Sequence, residues 1–336
     1  VPKRPLVVYT HRVPEAGPAL LRAACDLITR DDDTSLAPQE IARIAQHADA
    51  LCFFVPDLID APLIAQLEGV KILAGFGKGY DNVDVAAATA RGIWVTNVPH
   101  ALTDATADLT FGLILGLARK IAEGDAVVRG GAHPGWHPSR LLGTSLTGAT
   151  LGILGFGQIG QALARRAVGF GMRVLYADPR RAPESIEAAL NAPFTQRDAL
   201  LAQSDIVVLA LPLTATTRNT IDARAIGAMK PGALLVNPAR GSLVDESIVA
   251  DALADGRLGG YAADVFELED QQFADRRTSV EPRLIALRDR TLFTPHLGTA
   301  LTEARIQLAR VQAMNVLHAL SGQRPPDAVN SPGATN

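Results

Sequence analysis

Leu151-Gly152-Ile153-Leu154-Gly155-Phe156-Gly157-Gln158-Ile159-Gly160-Gln161 is the stretch whose reading decides the fold. The apolar run Ala149 to Leu154 reads as a buried strand, a G-x-G-x-x-G turn follows at once, and Gln161 to Val168 continues as a helix. In that context each glycine has a separate steric task. Gly155 permits a tight turn, Gly157 lets the backbone approach a pyrophosphate, and Gly160 lets helix and strand pack closely, with the helix N-terminus turned toward the phosphates. Phe156, Gln158 and Ile159 complete the turn. The next strand, Arg173 to Ala177, leads into Asp178, eighteen residues after Gly160. An acid there hydrogen-bonds a ribose 2′-hydroxyl and repels a 2′-phosphate. The expectation is NAD, with Arg180 and Arg181 near enough to soften the exclusion of NADP.

Outward from this unit, short β-branched runs alternate with amphipathic helical stretches to both ends of the chain, the pattern of a parallel sheet covered on both faces. Toward the N-terminus the strands read Leu6 to Thr10, Ala50 to Val55, Ile72 to Ala74 and Trp94 to Asn97, with helices Pro18 to Ala24, Pro38 to Ala45 and Ala61 to Leu67. A long helix is expected from Ala105 to Asp125, and His133 to Pro138 reads as a loop. The second sheet continues through Arg173 to Ala177, Asp205 to Leu211, Ala233 to Asn237, Gly259 to Asp264 and Leu292 to Thr294, and Glu303 to Leu320 reads as a final helix before a Pro-rich tail. The class is α/β.

At 336 residues the chain exceeds what one hydrophobic core usually organises, so two domains are expected. A hydrophobic content of 48 % and a charged content of 20 % are those of a globular protein, and the net charge of −3 supplies no basic stripe for nucleic acid. A small-molecule partner is favoured. Two cysteines, Cys25 and Cys52, exclude a disulfide scaffold, and the start Val1-Pro2-Lys3-Arg4-Pro5 shows no targeting segment, so the cytoplasm is the expected location. The most apolar helical run, Leu109 to Ala118, is about half the length needed to span a bilayer, so no membrane association is expected. No metal site is expected either.

In an open α/β sheet, ligands sit outside the carboxyl ends of the strands. Three of those ends deliver candidates: Pro238-Ala239-Arg240-Gly241 after Asn237, Val265-Phe266-Glu267 after Asp264, and Pro295-His296 after Thr294. Arg240 can bind an anionic group through two N–H bonds, His296 can exchange a proton near neutral pH, and Glu267 can orient the imidazole and favour its charged form. Taken singly, each has a bland alternative as an ordinary ion pair or satisfied core group. Together they form an acid–base set beside a nicotinamide site.

These residues lie in motifs that resemble the D-isomer-specific 2-hydroxyacid dehydrogenases over nearly the whole chain. The matches are Gly79-Tyr80-Asp81-Asn82-Val83-Asp84, the glycine turn at 155 to 160, Asn237-Pro238-Ala239-Arg240-Gly241-Ser242-Leu243-Val244-Asp245-Glu246, and Thr294-Pro295-His296-Leu297-Gly298. The resemblance implies that Arg240, Glu267 and His296 are catalytic. It implies two doubly wound parallel-sheet domains, with a Rossmann NAD-binding domain, 100–296, inserted in a flavodoxin-like substrate/catalytic domain, 1–99 plus 297–336. It further implies a homodimer built on the helix after Pro99. Cofactor contacts from Thr106, Leu211, Pro212, Thr217, Pro238, Ala239, Arg240, Asp264, His296 and Gly298 also follow from it, beside those of the glycine turn and Asp178.

Within the family, one branch looks most similar, the phosphonate (phosphite) dehydrogenases. Gly77-Lys78-Gly79-Tyr80-Asp81-Asn82 and Gly259-Gly260-Tyr261-Ala262-Ala263-Asp264-Val265-Phe266-Glu267-Leu268-Glu269-Asp270 carry that likeness, supported by Trp136 and Arg305. Lys78 beside Arg240 would suit a compact dianion such as phosphite, and Lys78, Gly79, Trp136, Arg240 and Arg305 are the expected substrate-binding set. Leu141, Val55 and Thr299 depart from the phosphite enzymes, which carry tyrosine, methionine and serine there. The alternative is therefore a D-2-hydroxyacid dehydrogenase or glyoxylate/hydroxypyruvate reductase. A reading from another class is an NAD-sensing binding protein of the corepressor type, for which the short tail after Pro326 offers little extra surface.

Overall fold

The computed structural model describes residues 3–131, 133 and 135–333. Val1 and Pro2 of the N-terminal reading and Pro134 of the expected loop lie outside them. The chain divides into two compact units, Val1–Leu102 with Glu269–Ala274 and Thr299–Asn336, and Thr103–Leu268 with Asp275–Gly298. A second excursion into the first unit, 269–274, is thus added to the two segments expected from sequence.

The first unit holds strands β1 (Leu6–Tyr9), β2 (Asp26–Ile28), β3 (Ala50–Phe53), β4 (Ile72–Gly75) and β5 (Trp94–Thr96), all parallel in the order β2-β1-β3-β4-β5. Helices α1 (Ala16–Leu21), α2 (Pro38–Ile44), α3 (Ala61–Gln66), α4 (Val85–Ala90) and α13 (Thr302–Leu320) cover it. Side chains alternate across the strands, as a pleated sheet buried on both faces requires. Val8, Leu51 and Leu73 meet Ile41, Leu63 and Ala88 on one face. Val7, Tyr9, Ala50, Cys52 and Ile72 meet Leu21, Ala313 and Val316 on the other. Cys25 and Cys52 are free and buried there as small apolar groups.

Strand β2, helix α4 and the pairing of the tail escape the sequence reading of this unit. Strand β2 is three residues long at a sheet edge, with an exposed–intermediate–exposed pattern, so it has no apolar signature. The tail returns to the other edge, where Ala328 bridges Thr96, Val329 N–H donates to Val95 O, and Asn330 accepts from Val95 N–H at 2.8 Å. A bare strand edge is thereby covered.

The second unit holds β6 (Thr150–Leu154), β7 (Arg173–Ala177), β8 (Ile206–Leu209), β9 (Ala233–Asn237), β10 (Leu258–Ala263) and β11 (Thr291–Phe293), parallel in the order β11-β10-β9-β8-β6-β7. A parallel bridge from Tyr176 to Phe194 stands where a third strand beside β7 completes the dinucleotide-binding order. Its helices are α5 (Thr103–Ala118), α6 (Ile121–Arg129), α7 (Gln158–Gly169), α8 (Glu184–Leu190), α9 (Arg197–Gln203), α10 (Ala223–Ala228), α11 (Glu246–Ala254) and α12 (Pro282–Ala286). The single helix expected over 105–125 is corrected to two. Ala118 O accepts from Thr144 N–H at 2.8 Å, and Lys120 turns into the left-handed region at φ 53° before α6 begins. That partner lies 26 residues away, so helical periodicity carries no sign of the break.

Candidate active site

The glycine turn is built as its spacing requires. Strand β6 is buried throughout, and Gly155 leaves it at φ 92°, with its N–H on Ala177 O. A Cβ on Gly155 would stand 2.5 Å from Ala210 O, and one on Gly160 would stand 2.4 Å from Gly155 O. A Cβ on Gly157 would meet nothing within 4 Å, so the backbone there faces open space at the N-terminus of α7. That is the cradle a pyrophosphate needs. Asp178 is tied to the same turn, its Oδ2 accepting from Phe156 N–H at 2.8 Å and its Oδ1 from Arg180 N–H at 2.9 Å. Each oxygen keeps a lone pair for a ribose hydroxyl. These residues fit the adenosine and pyrophosphate halves of NAD.

The loops after the neighbouring strands fix the remaining cofactor candidates. Beyond β8, Leu211 and Pro212 enter a turn closed by Thr217, whose hydroxyl donates to Pro212 O at 2.8 Å and accepts from Thr214 N–H at 2.7 Å. Thr106, on the first turns of α5, is buried, and its hydroxyl lies 3.4 Å from Gly298 O.

Arg240 is presented by the side chain of Asn237, which is buried completely. Its Nδ2 donates to Arg240 O at 2.8 Å, and its Oδ1 accepts from Ala239 N–H at 3.1 Å, folding Pro238 and Ala239 into a turn at the end of β9. The next residue must be glycine, because a Cβ on Gly241 would stand 1.8 Å from Phe266 C and 2.1 Å from Glu267 N. Two of the expected catalytic residues are thus set by backbone in direct apposition.

Glu267 lies between two arginines, with Oε1 3.8 Å from Arg218 and Oε2 3.7 Å from Arg277. Its N–H donates to Glu246 Oε1 at 2.9 Å, and Glu246 Oε2 accepts from Glu281 N–H at 3.0 Å. Burial and the negative charge of Glu246 raise the Glu267 pKa above the ordinary carboxylate value, outweighing Arg277 and Arg218. A carboxyl with a raised pKa just past a strand end of a parallel sheet is a signal of a functional site.

His296 adopts φ 56°, the left-handed region that a non-glycine residue occupies only when its surroundings enforce it. Asp264 does the enforcing. Its carboxylate is buried; Oδ1 accepts from Thr294 Oγ1 and Leu297 N–H, each at 2.6 Å, and Oδ2 accepts from Gly298 N–H at 2.8 Å. The backbone oxygen of Asp264 takes the His296 N–H itself at 2.8 Å. Asp264 is therefore first a brace for the histidine turn, a role that sequence reading did not give it.

In the first unit, Lys78 and Gly79 follow β4, and Asn97 Nδ2 donates to Lys78 O at 2.7 Å. Lys78 is half-buried, and burial lowers its pKa. Asn82 donates to Phe54 O and Asp57 O, while Gln272 of the 269–274 excursion donates to Asp81 Oδ2 at 3.3 Å. Asp57, fully buried, accepts from Thr10 Oγ1 and from Phe54 N–H at 2.8 Å, and its Oδ1 lies 3.0 Å from His11 Nε2. The sequence reading missed this knot; an acid four residues past a buried strand was its signal. Arg305, on α13, donates through Nε to Thr299 O at 2.9 Å, and burial lowers its pKa. Trp136 is 86 % exposed on the loop after α6, and Leu141, with φ 52°, is 39 % exposed. Among the described residues no cluster of three metal-ligating side chains occurs, and no helix is long and apolar enough to cross a membrane.

Residues 111–298 match the family profile described as D-isomer specific 2-hydroxyacid dehydrogenase, NAD binding domain. A glyoxylate reductase of Thermococcus litoralis is 39 % identical over 331 residues, covering 97 % of this chain and 97 % of the relative. Among solved structures, the TT0316 protein from Thermus thermophilus is similar at a TM-score of 0.86 and 38 % identity, over 97 % of this chain and 100 % of that one. A glyoxylate reductase from Paecilomyes thermophila gives a TM-score of 0.86 at 30 % identity, over 98 % and 99 %. The narrower likeness to phosphite dehydrogenases gains no support from these relatives.

Proposed function

The chain belongs to the D-isomer specific 2-hydroxyacid dehydrogenase family, NAD-dependent oxidoreductases, and we propose that it reduces a small 2-oxo acid of the glyoxylate or hydroxypyruvate type to the D-2-hydroxy acid. The observation that carries this reading is the enforced left-handed turn at His296 in the same unit as Arg240 and Glu267. NADH, when bound, supplies the hydride. Arg240 holds the substrate carboxylate through paired N–H bonds. A ring nitrogen of His296 gives its proton to the carbonyl oxygen, and Glu267 keeps the imidazole oriented and charged until it does. In the oxidative direction the same nitrogen takes the hydroxyl proton. Lys78, Gly79 and Arg305 are proposed as further substrate-binding groups.

A second reading, phosphite oxidation to phosphate, rests on Lys78, a half-buried cation that a monocarboxylate does not require. There, Lys78 and Arg240 would hold the phosphite oxygens and His296 would take a proton from the attacking water, as the P–H bond breaks and its hydride passes to NAD. Purified protein assayed by NADH absorbance with glyoxylate, hydroxypyruvate, D-glycerate and phosphite separates the two. Turnover of the oxo acids with silence on phosphite is expected; turnover of phosphite alone, lost in Lys78→Ala, would reverse the assignment. An NAD-sensing binding role would require silence on all four.

We propose in addition that the protein acts as a homodimer through the α5–α6 region. Helix α6 has no buried residue, and Ile121, Val128 and Leu142 are 58 %, 59 % and 66 % exposed, an apolar surface that a partner would cover. Sedimentation equilibrium tests it, and a monomer at micromolar concentration would refute it.

A further inference from the structure

Two arginines follow Asp178, and a guanidinium near the end of the second strand of this fold is the group that accommodates the 2′-phosphate of NADP. Arg181 is paired with a carboxylate instead. Its Nε donates to Glu187 Oε1 at 2.9 Å and its NH2 to Glu187 Oε2 at 2.8 Å, so the planar fork faces both carboxylate oxygens. Its Cζ lies 5.9 Å from the centre of the Phe194 ring. Glu187, on α8, is 8 % exposed. Its Oε1 also accepts from Tyr176 OH at 2.6 Å, and Tyr176 OH in turn accepts from Ala182 N–H at 2.8 Å. Tyr176 is fully buried and stacks on Phe156 of the glycine turn, with ring centres 3.8 Å apart. The lock therefore joins the cofactor turn, strand β7 that leads into Asp178, the 180–182 segment and α8 into one body by hydrogen bonds and ring stacking.

We propose that Glu187 is a specificity-determining residue for the cofactor: by holding Arg181 on α8 it leaves Asp178 to govern the ribose end, so that NAD is taken and the 2′-phosphate of NADP finds no guanidinium from this position. The Arg181 and Tyr176 bonds lower the Glu187 pKa to about 2, so the lock stays charged through the physiological range. Arg181 is correspondingly held protonated by the same pair. The inference does not depend on which substrate is turned over, so its failure leaves the substrate assignment untouched.

Isothermal titration of the full chain with NADH and with NADPH reads the effect directly. The unaltered protein is expected to bind NADH more tightly. Glu187→Gln keeps one oxygen for Tyr176 OH and Arg181 Nε but loses the charge and sets an NH2 against the Arg181 NH2, so the fork is loosened, and the NADPH Kd should fall by about tenfold, the scale of one added charge-assisted bond, while the NADH Kd stays within about twofold. Adding Arg181→Met to Glu187→Gln should erase that gain. An unchanged NADPH Kd in Glu187→Gln that still binds NADH normally would overturn the proposal. Arg181→Met alone decides the matter if Glu187→Gln does not fold. With the lock as described, its NADPH Kd stays within about twofold of the unaltered protein; a tenfold weakening would mean that Arg181 already reaches the phosphate.

Discussion

Replacing Asp264 with Asn tests whether His296, the proposed proton donor, is held by its brace. All the groups on the Asp264 side chain are donors: Thr294 Oγ1 and Leu297 N–H on Oδ1, and Gly298 N–H on Oδ2. An amide can keep the first two only by turning its NH2 toward the Gly298 N–H, which then faces another donor at a buried position. Leaving one buried N–H without an acceptor costs about 1–3 kcal/mol, and the two surviving bonds lose the strength that charge gave them, so the total is roughly 2–4 kcal/mol. The left-handed His296 stores roughly 1–2 kcal/mol that the turn must supply, and a weakened turn releases it by letting the histidine leave φ 56°. For a unit of this size the expected fall in Tm is about 4–16 °C by scanning calorimetry. Misplacement of the imidazole by an ångström should lower kcat/KM for glyoxylate by roughly a hundredfold. A variant whose Tm stays within about 1 °C and whose kcat/KM stays within about twofold would refute the brace.

Gly157→Ala and Gly241→Ala should part company. The first adds a methyl where nothing lies within 4 Å, so Tm is kept while titration shows NADH binding weakened by about tenfold; the second drives Cβ into the Phe266–Glu267 backbone and costs roughly 3 kcal/mol or more, seen as a lowered Tm. Equal effects on Tm would contradict this. The acid limb of kcat/KM should lie above the ordinary carboxylate range, because Glu267 must be ionised and burial with Glu246 raises its pKa; Glu246→Gln should move the limb down and Arg277→Met up, and a limb unmoved by both would remove Glu267 from the acid–base set. The stability sign is opposite: Glu267 favours the folded state most below its unfolded pKa and loses that contribution as pH rises through the raised value. Asp57→Ala strands Thr10, His11 and Phe54 N–H in the first unit and should cost about 3–5 kcal/mol by calorimetry, whereas a loss below about 1 kcal/mol would show the knot to be dispensable.

The sequence by itself determined whatever is written in local spacing. Strand, glycine turn, helix and Asp178 fall within thirty residues, and each glycine's steric demand is a property of its own backbone, so the build of this turn was legible down to single residues. Arg240, Glu267 and His296 were legible as candidates because each stands just past a strand of a parallel sheet, where ligands bind. Only the tertiary structure decided how those groups are held and tuned. The brace under His296 reaches back 32 residues to Asp264, Glu246 comes to Glu267 across 21 residues, and the end of α5 is set by an N–H from Thr144. Strand β2, three residues at an edge, exists only because β1 pairs with it. Arg181, one of the two arginines that the spacing sets beside Asp178, is paired with a glutamate on the following helix. Hydrogen bonds and charge act through space with no periodicity along the chain, so their partners appear only once the fold has brought them together.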